Sequence, residues 1–313
     1  MVAGGGNDGS RLCAISVDLD EIAFYHQIHG LSPPEVSSSH LVFDLALLRL
    51  EDFARSFGIR FTLFVIGSTL ERVENVSKLR ALALAGHELG NHTLGHKYDL
   101  TRLDGAAMKA EVDGAQEAIE RATGTCPVGF RAPGYTVTDE LLALVERAGF
   151  LYDSSVFPCP LYWAMKGVAM SAIRLSGRRS QSVLDTPSVL RAPTRPYHIG
   201  HPYWTRGGGL WELPVQVTRI FRLPFIGTSL TLAGPRAARE LARGVIGEPL
   251  VNLELHGIDV LDAGDGLAGL AKHQPDLNIS HRRKLETLTA VVETLRDAGY
   301  RFVTLVEAVR SFS

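Results

Sequence analysis

Along nearly the whole chain, apolar runs of strand length alternate with amphipathic helical patterns. Leu12 to Val17 reads as a buried strand that ends at Asp18 and Asp20. Leu41 to Phe57 has helical spacing, with Phe43, Ala46, Leu47 and Leu50 on one stripe. Arg60 to Ile66 is a β-rich run stopped by Gly67. Val76 to Ala85 predicts a helix closed by Gly86, the residue type favoured just past a helix end. His87 to Asn91 is the next strand and runs directly into His92 and His96.

The rhythm continues downstream. Leu103 to Arg121 predicts a helix, Val128 to Arg131 a strand, and Thr138 to Ala148 a helix with Thr138 or Thr136 at its N-cap. Leu210 to Val217 reads as a strand, and Pro214 within it calls for an edge position or a bulge. Pro235 to Arg243 is helical, Leu250 to Leu255 a strand, and Ser280 to Ala298 a long helix. Strand Phe302 to Leu305 and a short helix close the chain.

Such repetition implies an α/β fold with a mostly parallel sheet. Position favours a barrel over an open sheet. Asp18 and Asp20, His92, Arg131 and His256 all lie at or just after the carboxyl ends of separate predicted strands, which is where barrels gather their chemistry. An open doubly wound sheet usually carries a glycine-rich phosphate turn. Here Gly4-Gly5-Gly6 precedes the first strand and Gly207-Gly208-Gly209 sits in a loop.

One segment breaks the pattern. Residues 157–209 are rich in Pro, Gly, Ser and Arg, interspersed with aromatics that include Tyr162, Trp163, Tyr203 and Trp204. The aromatics argue against disorder, so the segment is expected to be a lid or substrate loop, with Trp204 as a candidate substrate contact.

Composition narrows the partners. A formal net charge of -2 over 313 residues gives no electrostatic reason to expect nucleic acid. Hydrophobic content of 45% can fill a large core, and no apolar run reaches the length of a membrane span. Cys13, Cys126 and Cys159 are odd in number and scattered, unlike a disulfide framework. Residues 1–10 lack a basic region and an apolar region and read as a flexible tail. The expectation is a cytoplasmic protein with a single catalytic domain over residues 11–313; the oligomeric state is left open.

His92 and His96, four residues apart, place two imidazoles on one face if the turn is helical, close enough to grip one cation. With Asp20 they supply two nitrogens and one carboxylate, while Asp18 remains a spare carboxylate. If Leu19 points into the core, period-2 alternation turns Asp18 and Asp20 to the same side. Two histidines and a carboxylate suit Zn²⁺, and Co²⁺, Ni²⁺ or Fe²⁺ can take the same ligands. The bland alternatives are carboxylates capping a turn and histidines buried for packing.

In ordered motifs the chain resembles the polysaccharide deacetylases, the NodB-homology group of carbohydrate esterases, in its Asp-x-Asp subgroup. The motifs are Ser16-Val17-Asp18-Leu19-Asp20, His92-Thr93-Leu94-Gly95-His96, Gly129-Phe130-Arg131-Ala132-Pro133-Gly134-Tyr135 and Leu253-Glu254-Leu255-His256. Phe61 to Gly67 also looks like the family's second strand. The resemblance implies a distorted seven-stranded (β/α) barrel. It implies that Asp20, His92 and His96 bind the metal, that Asp18 is the general base held by Arg131, and that His256 is the general acid. It further implies that the backbone N–H of Tyr135 helps bind the oxyanion.

The family's usual aspartate partner for the acid histidine has no clear counterpart. Leu210-Trp211-Glu212-Leu213-Pro214 offers Glu212 instead, and Asp153 in Tyr152-Asp153-Ser154-Ser155 is the other candidate. His26 and His29 are expected in an extended loop that could border the substrate. Asp259 and Asp262 could form hydrogen bonds at the site mouth.

The resemblance implies a metal-dependent hydrolase that removes an N-acyl group, acetyl foremost, from an amino sugar. Coupled to the expected compartment, it points to a nucleotide- or lipid-linked saccharide of envelope polysaccharide synthesis. The alternatives are a deformylase or a cyclic-amide hydrolase of allantoinase or imidase type using the same site, and an inactive carbohydrate-binding homologue.

Overall fold

The structure, a computed structural model, describes residues 11–312. The expected N-terminal tail, residues 1–10, lies outside the described residues.

The chain opens with strand β1 (Leu12–Asp18), buried along its whole length, and helix α1 (Ile22–His29). The stretch holding His26 and His29 is therefore helical and not an extended loop; it ends at Gly30 in the left-handed region (φ 62). A π-helical run, Val42–Ala46, leads into α2 (Leu47–Phe57), then β2 (Phe61–Val65), α3 (Val73–Leu84) and β3 (Glu88–Asn91). The predicted stripe of Phe43, Ala46, Leu47 and Leu50 is buried.

Next come α4 (Gly105–Thr123), β4 (Gly129–Phe130), α5 (Asp139–Arg147) and the two-residue strand β5 (Tyr152–Asp153). Thr138 caps α5 by accepting a hydrogen bond from the Leu141 N–H (3.2 Å).

The segment read as one long loop contains α6 (Pro160–Leu175) and β6 (Tyr197–Ile199). It passes into β7 (Arg206–Glu212), which runs through the triple glycine and stops before Pro214. The C-terminal third comprises α7 (Gly227–Arg243), β8 (Leu250–His256), α8 (His281–Asp297), β9 (Arg301–Val303) and α9 (Leu305–Phe312). Helix α7 begins two turns before the predicted start and kinks where Gly234 (φ 76) precedes Pro235.

All nine strands belong to one curled sheet, in the order β6-β7-β5-β4-β3-β2-β1-β8, with β9 pairing β1. Neighbours from β7 to β8 run parallel, and β6 alone pairs antiparallel, against β7. Seven strands were expected; the two additional ones are β5 and β6, too short to register as apolar runs. Where β7 ends, the chain is stitched to β8 by polar groups. Gln216 N–H donates to Asn252 O (3.1 Å), and the Asn252 amide donates to Leu213 O and Pro214 O.

Register brings the strand ends level. Asp18 lies opposite His256 on one side and Phe64 on the other, Val65 opposite Asn91, and Asn91 opposite Phe130. Asp18, His92, Arg131 and His256 therefore emerge along one rim. The largest apolar cluster, which includes Val17, Leu19, Phe43, Leu50, Val251 and Leu255, packs the sheet against its helices behind that rim.

Candidate metal and hydrolytic centre

Two buried carboxylates leave β1 on the same side because Leu19 between them is fully buried in the core. Asp20 Oδ1 lies 3.3 Å from both His92 Nε2 and His96 Nε2. Asp18 Oδ2 lies 3.7 Å from His92 Nε2.

The histidine pair is not carried on a helix, as the four-residue spacing suggested. It sits in a tight turn in which Thr93 (φ 65) and His96 (φ 51) are left-handed. Side chains hold this turn: Asn91 Oδ1 accepts from Thr93 N–H (2.8 Å), Thr93 Oγ1 from His96 N–H (3.1 Å) and Glu111 Oε2 from Gly95 N–H (2.7 Å). His92 Nδ1 lies 2.8 Å from Arg131 O, so Nε2 is left facing Asp20.

The donor set fits a divalent cation. Asp20 Oδ1 and His96 Nε2 are buried without a hydrogen-bond partner, an arrangement that is costly unless something binds there. The ligating atoms of Asp20, His92 and His96 all fall within 4.8 Å of one another. Burial raises the Asp20 carboxyl, but His96 and His92 outweigh it and hold Asp20 well below the usual carboxylate range. Burial pushes His96 down, the direction a neutral metal ligand requires.

Asp18 is fixed from the opposite side. Arg131 Nη1 donates to Asp18 Oδ1 at 2.7 Å, and both side chains are buried. Three more of its N–H groups donate to Ser154 O, Ser154 Oγ and Ser16 Oγ, at 2.8, 2.8 and 2.9 Å. Phe64 packs beneath its plane, 4.2 Å from ring centroid to Cζ.

His256 completes the group, with Nε2 3.9 Å from Asp20 Oδ2. Its side chain is 19% exposed, while those of His92 and His96 are sealed, so it is the imidazole that an incoming molecule can reach. Its other nitrogen, Nδ1, lies 2.8 Å from Glu254 Oε1. Burial opposes protonation, but Glu254, followed by Asp18 and Asp20, raises the His256 imidazole well above its ordinary range. Asp259 anchors the same residue by accepting from His256 N–H (2.8 Å) and from Thr228 Oγ1 (2.8 Å).

Glu254 is thus the carboxylate beside His256, and neither sequence candidate takes that place. Asp153 and Glu212 lie opposite each other across β5 and β7, where Glu212 Oε2 is buried without a hydrogen-bond partner. Burial first, and then the Asp153 charge, drives Glu212 well up; burial also raises Asp153. Two adjacent buried carboxyls cannot both ionise cheaply. This pair holds the segment that supports Arg131: Val156 N–H donates to Glu212, and Ser155 N–H and Oγ donate to Asp153. Period-2 alternation puts Glu254 and His256 on one face of β8, and that was the signal available in the sequence.

Three further sequence candidates are placed as follows. Tyr135 N–H donates to Ala132 O at 3.2 Å, closing a turn in which Gly134 (φ 62) and Tyr135 (φ 58) are left-handed. The amide assigned to the oxyanion is therefore engaged. The Tyr135 hydroxyl is instead the buried group without a partner, on a ring centred 6.3 Å from that of His256. Trp204 packs edge-on against Tyr203 and beside the cluster of Tyr197 and Leu210. Asp262 pairs with His281 Nδ1 (2.9 Å) at the start of α8, away from His256.

The family model described as polysaccharide deacetylase matches residues 47–152, a span that contains His92, His96, Arg131 and Tyr135. Over that span the chain is similar to this family. It is 31% identical to a peptidoglycan deacetylase-like protein of Gibberella zeae over 145 residues, 44% of this chain and 42% of that protein. With the peptidoglycan deacetylase of Helicobacter pylori it shares 27% identity over 150 residues, 46% of this chain and 49% of that protein. The chain thus spans less than half the length of these curated relatives. In fold it is similar to a crystal structure described as a putative polysaccharide deacetylase from Mycobacterium smegmatis. The TM-score is 0.52 at 20% identity, covering 97% of this chain and 96% of that one.

Among the described residues no helix is long and apolar enough to cross a membrane.

Proposed function

We propose that this protein is a metal-dependent amidohydrolase that removes an N-acyl group, acetyl foremost, from an amino sugar. The observation that carries this reading is the buried Asp20, His92 and His96 set, with unpartnered ligand atoms, lying between Asp18 and His256. These residues would hold a divalent cation, Zn²⁺ by the chemistry of the donors. A bound cation polarises an acyl carbonyl and lowers the pKa of water towards neutrality.

The chain's own residues supply the remaining work. Arg131 holds and orients Asp18, so Asp18 can accept a proton from the attacking water. His256, held protonated beside Glu254, can donate a proton to the departing sugar nitrogen. The Tyr135 hydroxyl is available to donate to the charge that develops on the carbonyl oxygen.

Within amino sugars, a nucleotide- or lipid-linked saccharide of envelope polysaccharide synthesis is the candidate substrate. Acetate release from a panel of N-acetylhexosamine oligosaccharides, nucleotide-linked sugars and lipid-linked saccharides tests the reading. Release that depends on added Zn²⁺ or Co²⁺ supports it. Formate release or ring opening of cyclic amides would reassign the amide, and binding of saccharide without turnover would leave a carbohydrate-binding protein.

A further inference from the structure

Helix α6 was invisible to the sequence pattern because its outward face is apolar. Its inner face carries Tyr162, which packs on Phe157 and Tyr135, and Lys166, which donates to Gly134 O at 2.8 Å. These contacts seat the helix on the turn that borders His256. Leu161, Met165, Val168 and Leu175 lie at i, i+4, i+7 and i+14, one stripe of a helix. They are 45%, 62%, 69% and 89% exposed. Ala172 shares that stripe and is also exposed. The helix carries no acidic residue.

A second apolar element stands at its N-terminal end. Ile220 and Phe221 are 82% and 77% exposed. The Cys159 thiol donates to Arg222 O (3.2 Å), tying this tip to the start of α6. Single exposed hydrophobes need no explanation, but a helical stripe continued by a tethered Ile-Phe tip does.

Charge identifies what could cover it. Residues 157–222 contain nine Lys and Arg but two Asp and Glu; of the nine, Arg195 and Arg219 are paired with Glu248 and Lys166 is turned inward. Arg174 and Arg179, at the end of α6 and just beyond it, are exposed. Arg178 bridges to α1 by donating to His29 O (3.1 Å). An apolar helical face flanked by arginines and free of acids has the pattern of an element that lies in the plane of an anionic bilayer surface.

We propose that the outer face of α6, with the Ile220–Phe221 tip, docks on an anionic phospholipid membrane and presents the rim of His256 to substrates anchored there. The membrane contact stands on geometry alone, and its use for a lipid-linked saccharide rests on the function proposed above.

The test is co-sedimentation of the full chain with phosphatidylcholine vesicles, with and without phosphatidylglycerol. The expected result is pelleting with the phosphatidylglycerol vesicles that weakens as salt rises. Met165→Asp with Val168→Asp should lower the partition coefficient by about tenfold or more. Arg174→Glu with Arg179→Glu should weaken it chiefly at low salt. No pelleting, pelleting unchanged in the Met165→Asp/Val168→Asp variant, or a wild-type dimer that this variant dissociates would overturn the proposal; the last would assign the face to a second copy. Acetate release from a soluble substrate is read in parallel. Its persistence without vesicle binding removes the membrane contact alone, and its absence despite binding removes the deacetylase reading alone.

Discussion

Arg131 and Asp18 are joined by a 2.7 Å hydrogen bond in which neither side chain meets solvent. The pair links the ends of β1 and β4, and three further guanidinium N–H groups donate to Ser154 and Ser16. Removing one partner of such a buried pair leaves an uncompensated charge. Arg131→Ala should therefore cost roughly 3–5 kcal/mol in urea denaturation. Arg131→Lys should recover only part of this, because an ammonium cannot reproduce the planar fork. Full stability in either variant would mean that Asp18 is held by other groups.

Glu254 acts through His256. Glu254→Gln should leave metal content and KM unchanged while kcat falls about 10- to 100-fold, the scale of general acid catalysis. Glu254→Asp should restore part of the loss. Unchanged kcat, or a loss of metal alongside kcat, would remove the positioning role.

Tyr135→Phe separates a donor from a wall. The hydroxyl is buried without a partner, so its removal should leave stability unchanged or raise it by about 1–3 kcal/mol. Loss of an oxyanion donor should nonetheless lower kcat by roughly a hundredfold. A variant with native kcat would show that the ring only shapes the site.

Asp185 gives a pH-dependent prediction at a distance from the metal ligands. Burial, first, raises its carboxyl from 3.8 to about 6, against hydrogen bonds from Thr186 N–H and Tyr203 and the nearby Lys166 charge. A folded-state pKa above the unfolded one contributes stability below pH 3.8 that is lost as pH rises through about 6. Asp185→Asn cannot ionise, so it should exceed wild type by about 1–3 kcal/mol at pH 8 and not at pH 4. Thermal melts across that range check it, and a gain of equal size at both pH values would contradict the assigned cause.

Much of this centre was legible before the structure. Strand ends were marked by apolar runs that stop at Asp18, Asn91 and Leu255, and parallel register then levels them into one rim. Three features stayed hidden for physical reasons. Strand β5 has two residues, too few for a period to show. The His92–His96 turn relies on left-handed residues and side-chain anchors such as Glu111, which spacing alone does not encode. Helix α6 is apolar on its solvent face, so the usual contrast between faces was missing. Glu254 is legible through its period-2 alternation with His256 on β8.

Metal content of the purified full chain tests the central claim most directly. After exhaustive dialysis, wild type should retain about one divalent cation per chain by elemental analysis, the stoichiometry of a single three-ligand site. Asp20→Asn, His92→Ala and His96→Ala should each lose it, while His256→Ala keeps it and loses turnover. A wild type without bound metal, or equal metal content in the ligand variants, would contradict the account.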